Sequence, residues 1–398
     1  MRIRPFIFVV KDVKEFSKES LINTIKSEFM CNLIFFDNVF YYPLSNNILV
    51  KSAKIISKGL VDIIESLDSE IESASDSDIL VKMKACGICG SDLEKVYGEY
   101  GMSSARLGHE PAGEVLAVGK KVKGFSIGDR VFVHHHVSCN SCHYCSHGNN
   151  TMCENYQKSN IDPCGLADKF IVPSWNVSHG GVLKLPDNVS FEQASLIEPL
   201  ACCIRALNKI QLQKGDDVII FGGGPAGIML VNLIRIYGAG KIFLLDINDF
   251  RLKFCKKFNP DVVIMNPKVQ DVSQIINDNT HNRGVDIAIV ATSSLIALSN
   301  AFEVTRKGGQ ILLFGVPPKD SQFPLDLSKL YSNEFSLVPS YAASEVETNQ
   351  ALKLLSEKRI DLDFLITHKF KLERSSEAFL CAYEAKDCMK VIITTSDQ

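Results

Sequence analysis

The sequence predicts an α/β fold with two domains, one a doubly wound parallel sheet and the other rich in β-structure. Between about residues 215 and 316, short apolar runs alternate with helical patterns, which is typical of parallel strands joined by crossover helices. Residues 80 to 198 differ, because glycine-punctuated strand-like runs follow one another there without a long helical pattern. The chain has 398 residues, of which 46% are apolar, so it is long enough for two hydrophobic cores.

Five apolar runs in the α/β region are predicted to be strands that are buried on both faces of the sheet. These runs are Asp217–Phe221, Lys241–Leu245, Val262–Met265, Asp286–Val290 and Gln310–Phe314. Two of the intervening stretches, Ala226–Tyr237 and Asp249–Phe258, are each long enough for a crossover helix. The alternation therefore predicts a doubly wound arrangement.

The β-rich region is predicted to be completed by the C-terminal tail. Its clearest strand-like runs are Ile79–Lys84, Gly113–Val118 and Arg130–His134. From about residue 340 the chain returns to a predicted helix, Val346–Glu357. Strand-like residues near Phe370 and Ile392 follow it and are expected to close back on the β-rich domain.

The first 78 residues carry one readable pattern, a helical stripe of apolar residues. It predicts a packed surface helix followed by the polar loop Ser73–Asp78. The residues of the stripe are Leu60, Ile63, Ile64, Leu67 and Ile71.

Composition and charge indicate a cytoplasmic protein that acts on a small molecule. With 43 basic and 46 acidic residues the net charge is −3, and no basic stripe is present, so neither nucleic acid nor membrane is an expected partner. The apolar run Pro5–Val10 is too short for a signal peptide or a membrane span. The 13 cysteines suit a reducing compartment, in which thiols stay available for metal ions.

Four cysteines follow the spacing C-x2-C-x2-C-x7-C, which lets one short loop surround a tetrahedral ion. Such a site is closed, because four thiolates leave no position for water or substrate. The pattern therefore predicts a structural zinc held by Cys139, Cys142, Cys145 and Cys153. Six other cysteines are interpreted as small buried apolar residues: Cys164, Cys202, Cys203, Cys255, Cys381 and Cys388.

A G-x-G-x-x-G pattern follows the predicted strand that ends at Phe221 and opens the next helix. Gly222 permits a tight turn and Gly224 lets the backbone approach a pyrophosphate, with Pro225 after it at the start of the helix. Gly227 lets helix and strand pack closely. Because the helix N-terminus also offers free N–H groups and a positive dipole end, the segment predicts a dinucleotide site.

The second strand ends at Asp246, which lies 24 residues after Gly222. A carboxylate there can accept hydrogen bonds from both ribose hydroxyls and repels a 2′-phosphate, so NAD is expected rather than NADP. Arg251 complicates this prediction, because a guanidinium can stack on adenine or tolerate a phosphate.

Three separate segments carry the residue types of a second, open metal site. Cys89 precedes Gly-Ser-Asp, His109 and Glu110 follow Gly108, and Glu198 lies in an Ile-Glu-Pro segment. One thiolate, one imidazole and one carboxylate leave a fourth zinc position for water or substrate. Spacing alone does not identify such scattered residues as ligands.

Taken in order, these motifs resemble the zinc-dependent medium-chain dehydrogenase/reductase family, the alcohol dehydrogenase superfamily. The resemblance runs from about residue 80 to the C-terminus and depends on Ala85–Asp92, Gly108–Gly113, Gly128–Val131, the four-cysteine loop and the Gly222 fingerprint. It implies a GroES-like catalytic domain and a Rossmann-type cofactor domain, with two zinc ions and NAD. The expected divisions are an N-terminal segment with an atypical insertion at 1–78, the GroES-like domain at 79–199 completed by 340–398, and the Rossmann domain at 200–339.

The resemblance also implies roles for single residues. The catalytic zinc would be held by Cys89, His109 and a carboxylate from either Glu110 or Glu198. Ser91 would take the hydroxyl proton. Glu94 stands where many members carry a relay histidine and would pass that proton on, although a plain surface charge is an equal alternative. The segment beside the nicotinamide would be Phe314, Gly315 and Val316.

The Leu196–Leu200 segment resembles the sorbitol and threonine dehydrogenase branch, which carries Glu where alcohol dehydrogenases proper carry a cysteine ligand. The position of His135 lines the substrate cleft in this family, and a polar residue there suits a polyhydroxylated substrate. Strand alternation would place His134 and His136 on the opposite face from His135, so three-way metal chelation is not expected.

The expected reaction is hydride transfer between NAD(H) and a secondary alcohol of the polyol or sugar class, in a homodimer or homotetramer. Within the enzyme class, the alternatives are an L-threonine 3-dehydrogenase-like activity and a general alcohol or aldehyde dehydrogenase. From a different class, the alternative is a non-catalytic nucleotide-binding zinc protein, which could keep the four-cysteine loop while losing the open site.

Overall fold

The computed structural model describes residues 6–8, 34–36, 39–42, 49–67, 75–98 and 106–395. Near the N-terminus, three short strands form an antiparallel sheet in the order β1-β3-β2. Their bounds are Phe6–Phe8 (β1), Ile34–Phe36 (β2) and Val39–Tyr42 (β3).

A two-stranded hairpin, Leu49–Ser57 (β4) and Leu60–Leu67 (β5), replaces the helix predicted from the apolar stripe. That prediction was wrong because the stripe residues lie on two faces of a strand. Leu60 and Ile64 are 44% and 36% exposed, whereas Ile63 packs against the buried core beside Val61. The β-branched residues in the run favour extended backbone, and Gly59, at φ 81°, makes the turn. Ile71 and residues up to 74 lie outside the described part of the chain.

The β-rich domain contains a sheet of seven strands in the order β10-β8-β7-β6-β18-β17, with β9 also paired to β6. Along β6, alternate residues are buried, as expected for a strand with one face against a core. The strands are Ile79–Gly87 (β6), Glu110–Val118 (β7), Arg130–Val133 (β8), Lys169–Val172 (β9), Val182–Lys184 (β10), Ile366–Lys371 (β17) and Lys390–Thr394 (β18).

The C-terminal tail closes this sheet, as predicted. Strand β18 pairs antiparallel with β6, where Ile393 lies opposite Cys86. Strand β17 continues the sheet by pairing parallel with β18. A strand from the end of the chain therefore lies beside the strand that leads to Cys89.

The α/β domain contains six parallel strands in the order β13-β12-β11-β14-β15-β16. All residues of the central strand β11 are buried, which explains its unbroken apolar sequence. The five predicted strands are confirmed within a few residues at their ends. The bounds are Val218–Phe221 (β11), Ile242–Leu245 (β12), Val263–Met265 (β13), Val285–Val290 (β14), Thr305–Leu313 (β15) and Ser336–Pro339 (β16).

The helices of the two domains are positioned by local signals. Gly224 and Pro225 begin one crossover helix, and the Asn248 side chain accepts hydrogen bonds from two backbone N–H groups at the start of the next. The helices are Gly90–Tyr97, His143–Ser146, Ser174–Ser178, Phe191–Ala194, Ile197–Asn208, Pro225–Ile236, Asp249–Phe258, Val272–Thr280, Leu295–Val304, Leu327–Ser332, Glu345–Ser356 and Ser375–Glu384, with short 3₁₀ turns at Asn150–Met152, Asp363–Leu365 and Leu372–Arg374.

The two domains share part of one hydrophobic core. The helix Ile197–Asn208 packs against both Glu345–Ser356 and Pro225–Ile236. Ala112 and Phe132 of the β-rich sheet belong to the same buried cluster. The predicted combination of an α/β parallel sheet and a β-rich domain is confirmed. Among the residues that the structure describes, none of the helices is both long and apolar enough to span a bilayer.

Candidate active site and metal centres

The four cysteines of the predicted structural site lie together in the loop that follows β8. Their sulfur atoms are all within 4.8 Å of one another. The Sγ atoms of Cys142 and Cys145 are 3.5 Å apart, and those of Cys139 and Cys145 are 3.9 Å apart. Tetrahedral zinc with bonds of about 2.3 Å to sulfur holds its ligands about 3.7 Å apart. Donor type and spacing therefore both fit a closed zinc site.

The loop itself supplies hydrogen bonds to these sulfurs. The backbone N–H of Cys142 donates to Cys139 Sγ at 3.3 Å, and that of Cys139 donates to Cys153 Sγ at 3.4 Å. Hydrogen bonds from Ser141 lower the pKa of Cys139 to about 6, whereas burial raises the pKa of Cys145 to about 12. The amides thus stabilise only part of the thiolate charge, and a divalent cation would compensate the rest.

Buried polar contacts fix the four-cysteine loop to the rest of the protein. The carboxylate of Glu345 accepts hydrogen bonds from the backbone N–H and the hydroxyl of Ser138, at 3.1 and 2.9 Å. Arg205 donates to Thr151 Oγ1 at 3.2 Å and pairs with Glu347 at 3.3 Å. Both carboxylates belong to the helix Glu345–Ser356, so the loop is tied to the interface between the domains.

The predicted open site brings three donor types together. Cys89 caps the helix Gly90–Tyr97, His109 directly precedes β7, and Glu110 is the first residue of that strand. Their ligand atoms lie within 4.8 Å of one another. A thiolate, an imidazole and a carboxylate at this separation fit one zinc ion with a fourth position open.

Asp92 is completely buried and orients this group. Its carboxylate lies 3.4 Å from His109 Nδ1 and accepts a hydrogen bond from the backbone N–H of Cys89 at 3.3 Å. Burial by itself would raise the pKa of Asp92, but the charge of His109 outweighs it and lowers the pKa below the ordinary value. Such a carboxylate–imidazole pair fixes the ring and its tautomer for a metal. The sequence prediction gave Asp92 no role, although its place three residues after Cys89 is visible.

Glu110 forms a buried ion pair with Lys390, the first residue of β18. Lys390 Nζ lies 2.8 Å from Oε1 and 2.5 Å from Oε2 of Glu110, and it also donates to the Ile88 carbonyl at 3.0 Å. Burial acts to lower the pKa of Lys390, but Glu110 outweighs it and the pKa is raised. A Cβ at Gly87 would lie 1.8 Å from Glu110 Oε2, so a glycine is needed to make room for the pair.

Sequence reasoning missed Lys390. The one signal for it is a lysine that opens an otherwise apolar strand, since such a charge is rarely buried without a partner. The identity of the partner was not visible, because Glu110 is 280 positions earlier in the chain.

Glu198, the other predicted carboxylate, is buried near the group in the first turn of the helix Ile197–Asn208. Its Oε1 accepts a hydrogen bond from Cys202 Sγ at 3.3 Å. After burial, the charge of Glu198 is the largest cause that raises the pKa of Cys202 well above its usual range. The carboxylate therefore adds to the negative field that would attract a cation.

The three histidines from His134 to His136 do not alternate along a strand as predicted. Strand β8 ends at Val133, so the strand pattern on which that prediction depended does not reach them. His134 turns toward Glu345, at 3.7 Å, and His136 Nδ1 lies 2.7 Å from the Ser159 carbonyl oxygen. The His135 ring is 5.2 Å from the His109 ring. Burial, followed by the nearby His136, lowers the pKa of His135, so its imidazole is neutral.

Ser91 and Glu94 occupy the helix that Cys89 begins, Gly90–Tyr97. Ser91 is in its first turn and partly exposed. Glu94 is also partly exposed, and burial raises its pKa. Its Oε2 lies against Gly98, at the C-terminal end of the helix, whereas Cys89 is at the opposite end. The relay role of Glu94 stays a prediction.

The glycine fingerprint lies at the carboxyl end of the central strand β11 and at the start of the helix Pro225–Ile236. Gly222 has φ 110°, and a Cβ there would lie 2.7 Å from the Ala291 carbonyl oxygen. A Cβ at Gly227 would lie 1.9 Å from the carbonyl oxygen of Gly222. A Cβ at Gly224 would have no atom nearer than 3.9 Å, on the Arg251 side chain, so the backbone there is open to a ligand. The tight turn and a free approach to the backbone both suit a pyrophosphate.

Asp246 follows β12 directly and lies against this fingerprint. Its Oδ2 accepts a hydrogen bond from the backbone N–H of Gly223 at 2.7 Å and lies 3.6 Å from Arg251 Nη1. Arg251 also lies beside Gly224, so one carboxylate and one guanidinium share the rim of the dinucleotide site.

The segment predicted to lie beside the nicotinamide begins directly after β15. The backbone N–H groups of Phe314 and Gly315 donate to the Val290 carbonyl at 3.1 and 2.8 Å. A Cβ at Gly315 would lie 2.3 Å from the Thr292 carbonyl oxygen, so the segment packs closely against the end of β14. Val316 is 59% exposed.

Two family models match the chain. The alcohol dehydrogenase GroES-like domain matches residues 75–187, and the zinc-binding dehydrogenase model matches residues 225–357.

Individual relatives agree with these matches. The chain is 33% identical over 322 residues to a sorbitol dehydrogenase of Bacillus subtilis, covering 79% of this chain and 90% of that protein. It is 29% identical over 312 residues to an L-threonine 3-dehydrogenase of Cronobacter sakazakii, covering 76% and 88%. The solved structure of an alcohol dehydrogenase from Thermus sp. ATN1 superposes with a TM-score of 0.78 at 26% identity, over 87% of this chain and all of that one. The chain thus belongs to the zinc-dependent medium-chain dehydrogenase/reductase superfamily, in its sorbitol and threonine dehydrogenase-like branch, and is an oxidoreductase of the alcohol or polyol dehydrogenase type.

Proposed function

We propose that this protein oxidises a secondary alcohol of the polyol or sugar class to the ketone, with NAD as the hydride acceptor. The observation that carries the proposal is the group of Cys89, His109 and Glu110, whose ligand atoms lie within 4.8 Å of one another. This donor set would hold a zinc ion and leave one position for a hydroxyl oxygen. The four-cysteine loop would hold a second, structural zinc.

Glu110 is preferred to Glu198 as the third ligand, because Glu198 does not belong to that close group among the described residues. The ion pair with Lys390 reduces the negative charge that Glu110 would present to a bound zinc ion. Glu198 hydrogen-bonds to Cys202 and remains close enough to interact with Glu110, so it would hold a water or a hydroxyl near the open position.

The chemistry supplied by bound zinc is Lewis-acid activation of the hydroxyl, and that supplied by NAD is acceptance of the hydride. The residues of the chain prepare these events. Asp92 holds the His109 ring in place, and Lys390 holds Glu110. The neutral imidazole of His135 would accept or donate a hydrogen bond to a second substrate hydroxyl, which favours a polyol over an alkyl alcohol.

The hydroxyl proton must leave the site during oxidation. Ser91 is two residues from Cys89 in a partly exposed first turn, and we assign it the first transfer. Glu94, with its raised pKa, would pass the proton to solvent after turning away from Gly98.

The preference for NAD depends on Asp246. Its carboxylate at the rim of the glycine turn would accept the ribose hydroxyls and repel a 2′-phosphate. Arg251 partly offsets that repulsion at 3.6 Å. Asp246→Ser is therefore expected to move the ratio of kcat/KM for NAD and NADP about tenfold towards NADP, and Arg251→Ala to move it the opposite way.

A second candidate substrate is L-threonine, because L-threonine 3-dehydrogenases are among the relatives at 29% identity. The sorbitol dehydrogenase at 33% identity and the carboxylate at Glu94 favour the polyol. A simple alcohol or aldehyde has no second hydroxyl to hydrogen-bond with His135, so a general alcohol or aldehyde dehydrogenase is disfavoured. We also propose that the domains divide at residues 78, 199 and 339. The protein is proposed to assemble as a homodimer or a homotetramer.

The test combines turnover with metal content. Purified enzyme is assayed for NAD and NADP reduction with a panel of polyols, L-threonine and simple alcohols, and its zinc is counted by elemental analysis. Polyol oxidation with NAD by a protein that holds both catalytic and structural zinc is the expected result. Preferential turnover of L-threonine would show that the substrate is L-threonine and not a polyol. Absence of turnover, with zinc in the four-cysteine loop only, would favour a non-catalytic nucleotide-binding protein.

A further inference from the structure

A third group of metal-binding side chains lies near the C-terminus, apart from the residues assigned above. It consists of His368 on β17, Cys381 on the helix Ser375–Glu384 and Cys388, two residues before β18. The ligand atoms of all three lie within 4.8 Å of one another. Sequence reasoning treated both cysteines as small apolar core residues, since no spacing pattern connects them with the histidine.

The donor set is that of a zinc site. Two thiolates and one imidazole are ligands that zinc takes in proteins, and three protein ligands leave a fourth position for water. Neither cysteine is in a disulfide, and their sulfur atoms lie within 4.8 Å of each other. Tetrahedral zinc would need its ligand atoms about 3.3 to 3.8 Å apart, so only small side-chain movements separate the observed group from a site.

The surrounding structure directs these side chains at one another. The pairing of β17 with β18 shifts its register between Ile366 and His368, and such an irregularity re-aims the side chains beside it. His368 Nδ1 lies 3.0 Å from the hydroxyl oxygen of Thr367, a contact of the kind that orients metal-binding imidazoles. The Thr367 hydroxyl is held in turn by the backbone N–H of Met389 at 2.9 Å.

The three side chains differ in exposure, and the two partly exposed ones leave a route by which a metal ion can enter. Cys388 is 2% exposed and packs in the core of the β-rich domain, whereas His368 and Cys381 are partly exposed. An ion can thus reach the group from the side of the histidine and the helix.

We infer that His368, Cys381 and Cys388 form a third zinc site, separate from the catalytic and structural ones. Bound zinc would link β17, the helix Ser375–Glu384 and the start of β18 into one unit. Lys390, which holds Glu110, is two residues after Cys388. A metal here would therefore stabilise the strand on which the ion pair at the active site depends.

The test is a zinc count on the full-length protein. Wild type and the variants Cys381→Ala and His368→Asn are loaded with Zn²⁺, freed of excess metal by gel filtration and analysed for zinc per chain. Each variant is expected to lose one equivalent relative to wild type. Cys255→Ala, which removes a buried cysteine of the α/β domain, is the matched control and should lose none. Loading with Co²⁺ should give a thiolate-to-cobalt absorption band that weakens in Cys381→Ala and not in the control.

Equal zinc counts in wild type and in both well-folded variants would overturn the inference. So would a Cys381–Cys388 disulfide that mass spectrometry finds in zinc-loaded wild type. Polyol oxidation is measured on the same samples. If the third equivalent is absent while turnover persists, this inference fails alone; if it is present without turnover, only the proposed function fails.

Discussion

The four-cysteine loop and the Cys89 group are built in opposite ways. The loop takes all its ligands from residues 139–153 and hydrogen-bonds their sulfurs with its own backbone. The Cys89 group depends on buried charges: Asp92 holds His109, which lies 17 positions later on another segment, and Lys390 pairs with Glu110 from 280 positions away. A closed site can thus be assembled locally, whereas an open site requires tertiary structure to hold its ligands while one position stays free.

The two sites are also expected to serve different purposes, the four-cysteine loop for stability and the Cys89 group for catalysis. Four thiolates would satisfy a zinc ion completely, so in the proposed assignment the loop stabilises the fold and takes no part in the reaction. A carboxylate that is shared with a lysine is a weaker, more exchangeable donor. The two sites should therefore respond differently to the loss of one ligand.

Removal of Cys89 should have the largest effect on activity. Loss of the metal forfeits several kcal/mol of transition-state stabilisation, so Cys89→Ala should lower kcat/KM for the polyol at least about 1,000-fold. The unfolding midpoint should change little. Steady-state kinetics and thermal unfolding measure the two quantities. Cys86→Ala, in β6 just before the site, is the control; comparable activity in the two variants would contradict the assignment.

Lys390→Met should reduce the free energy of unfolding by about 3–4 kcal/mol, because it leaves the Glu110 charge buried without a partner. Glu110 raises the pKa of Lys390 in the folded protein. As long as Glu110 is ionised, the contribution of the Lys390 charge is therefore complete below the unfolded-state pKa of about 10.4 and is lost as pH rises through the folded-state value.

Denaturant unfolding from neutral to alkaline pH checks this. Wild type should lose stability above about pH 10.4 and the variant should lack that step. The double variant Lys390→Met/Glu110→Gln should recover part of the loss. An unchanged alkaline step in Lys390→Met would show that another group causes it.

In the loop, Cys142→Ala should lower stability rather than chemistry. A loss of about 2–3 kcal/mol in the free energy of unfolding is expected, because the chain loses part of the folding energy that structural zinc supplies. The value of kcat per correctly folded molecule should stay within about twofold of wild type, by active-site titration. A variant that is as stable as wild type but inactive would reverse the roles of the two sites.

The smallest effect is expected for Asp92→Asn, which keeps the shape of the side chain and removes its charge. Partners of metal-binding imidazoles typically contribute 10- to 100-fold to metal affinity, so the dissociation constant of the catalytic zinc should rise about that much. Competition with a chromophoric chelator measures it. An equal loss of zinc from the four-cysteine loop would mean that Asp92 acts through the fold and not through His109.

Local patterns in the sequence were sufficient for most of the fold. The helix Asp249–Phe258 begins and ends where predicted, because its Asn248 cap and its apolar spacing are both local signals. The stripe from Leu60 to Leu67 was misleading, because three- and four-residue spacing over so short a run also fits a strand with both faces apolar.

The candidate site shows the same limit. Residue types and motif order pointed to Cys89, His109 and the two glutamates, but pairings at long range were not visible. Lys390 meets Glu110 because β6 pairs with β18 on one side and with β7 on the other, and no local pattern encodes these pairings. The third cluster, with His368 and two cysteines from three elements, is a further case.

Cobalt substitution can test most directly that the Cys89 group is the open site and the four-cysteine loop the closed one. The visible spectrum of Co²⁺-loaded enzyme is recorded before and after addition of polyol and NAD, for wild type, Cys89→Ala and Cys142→Ala. The spectrum should change with substrate in wild type and in Cys142→Ala, and should not change in Cys89→Ala. A substrate response that survives in Cys89→Ala and disappears in Cys142→Ala would contradict the account.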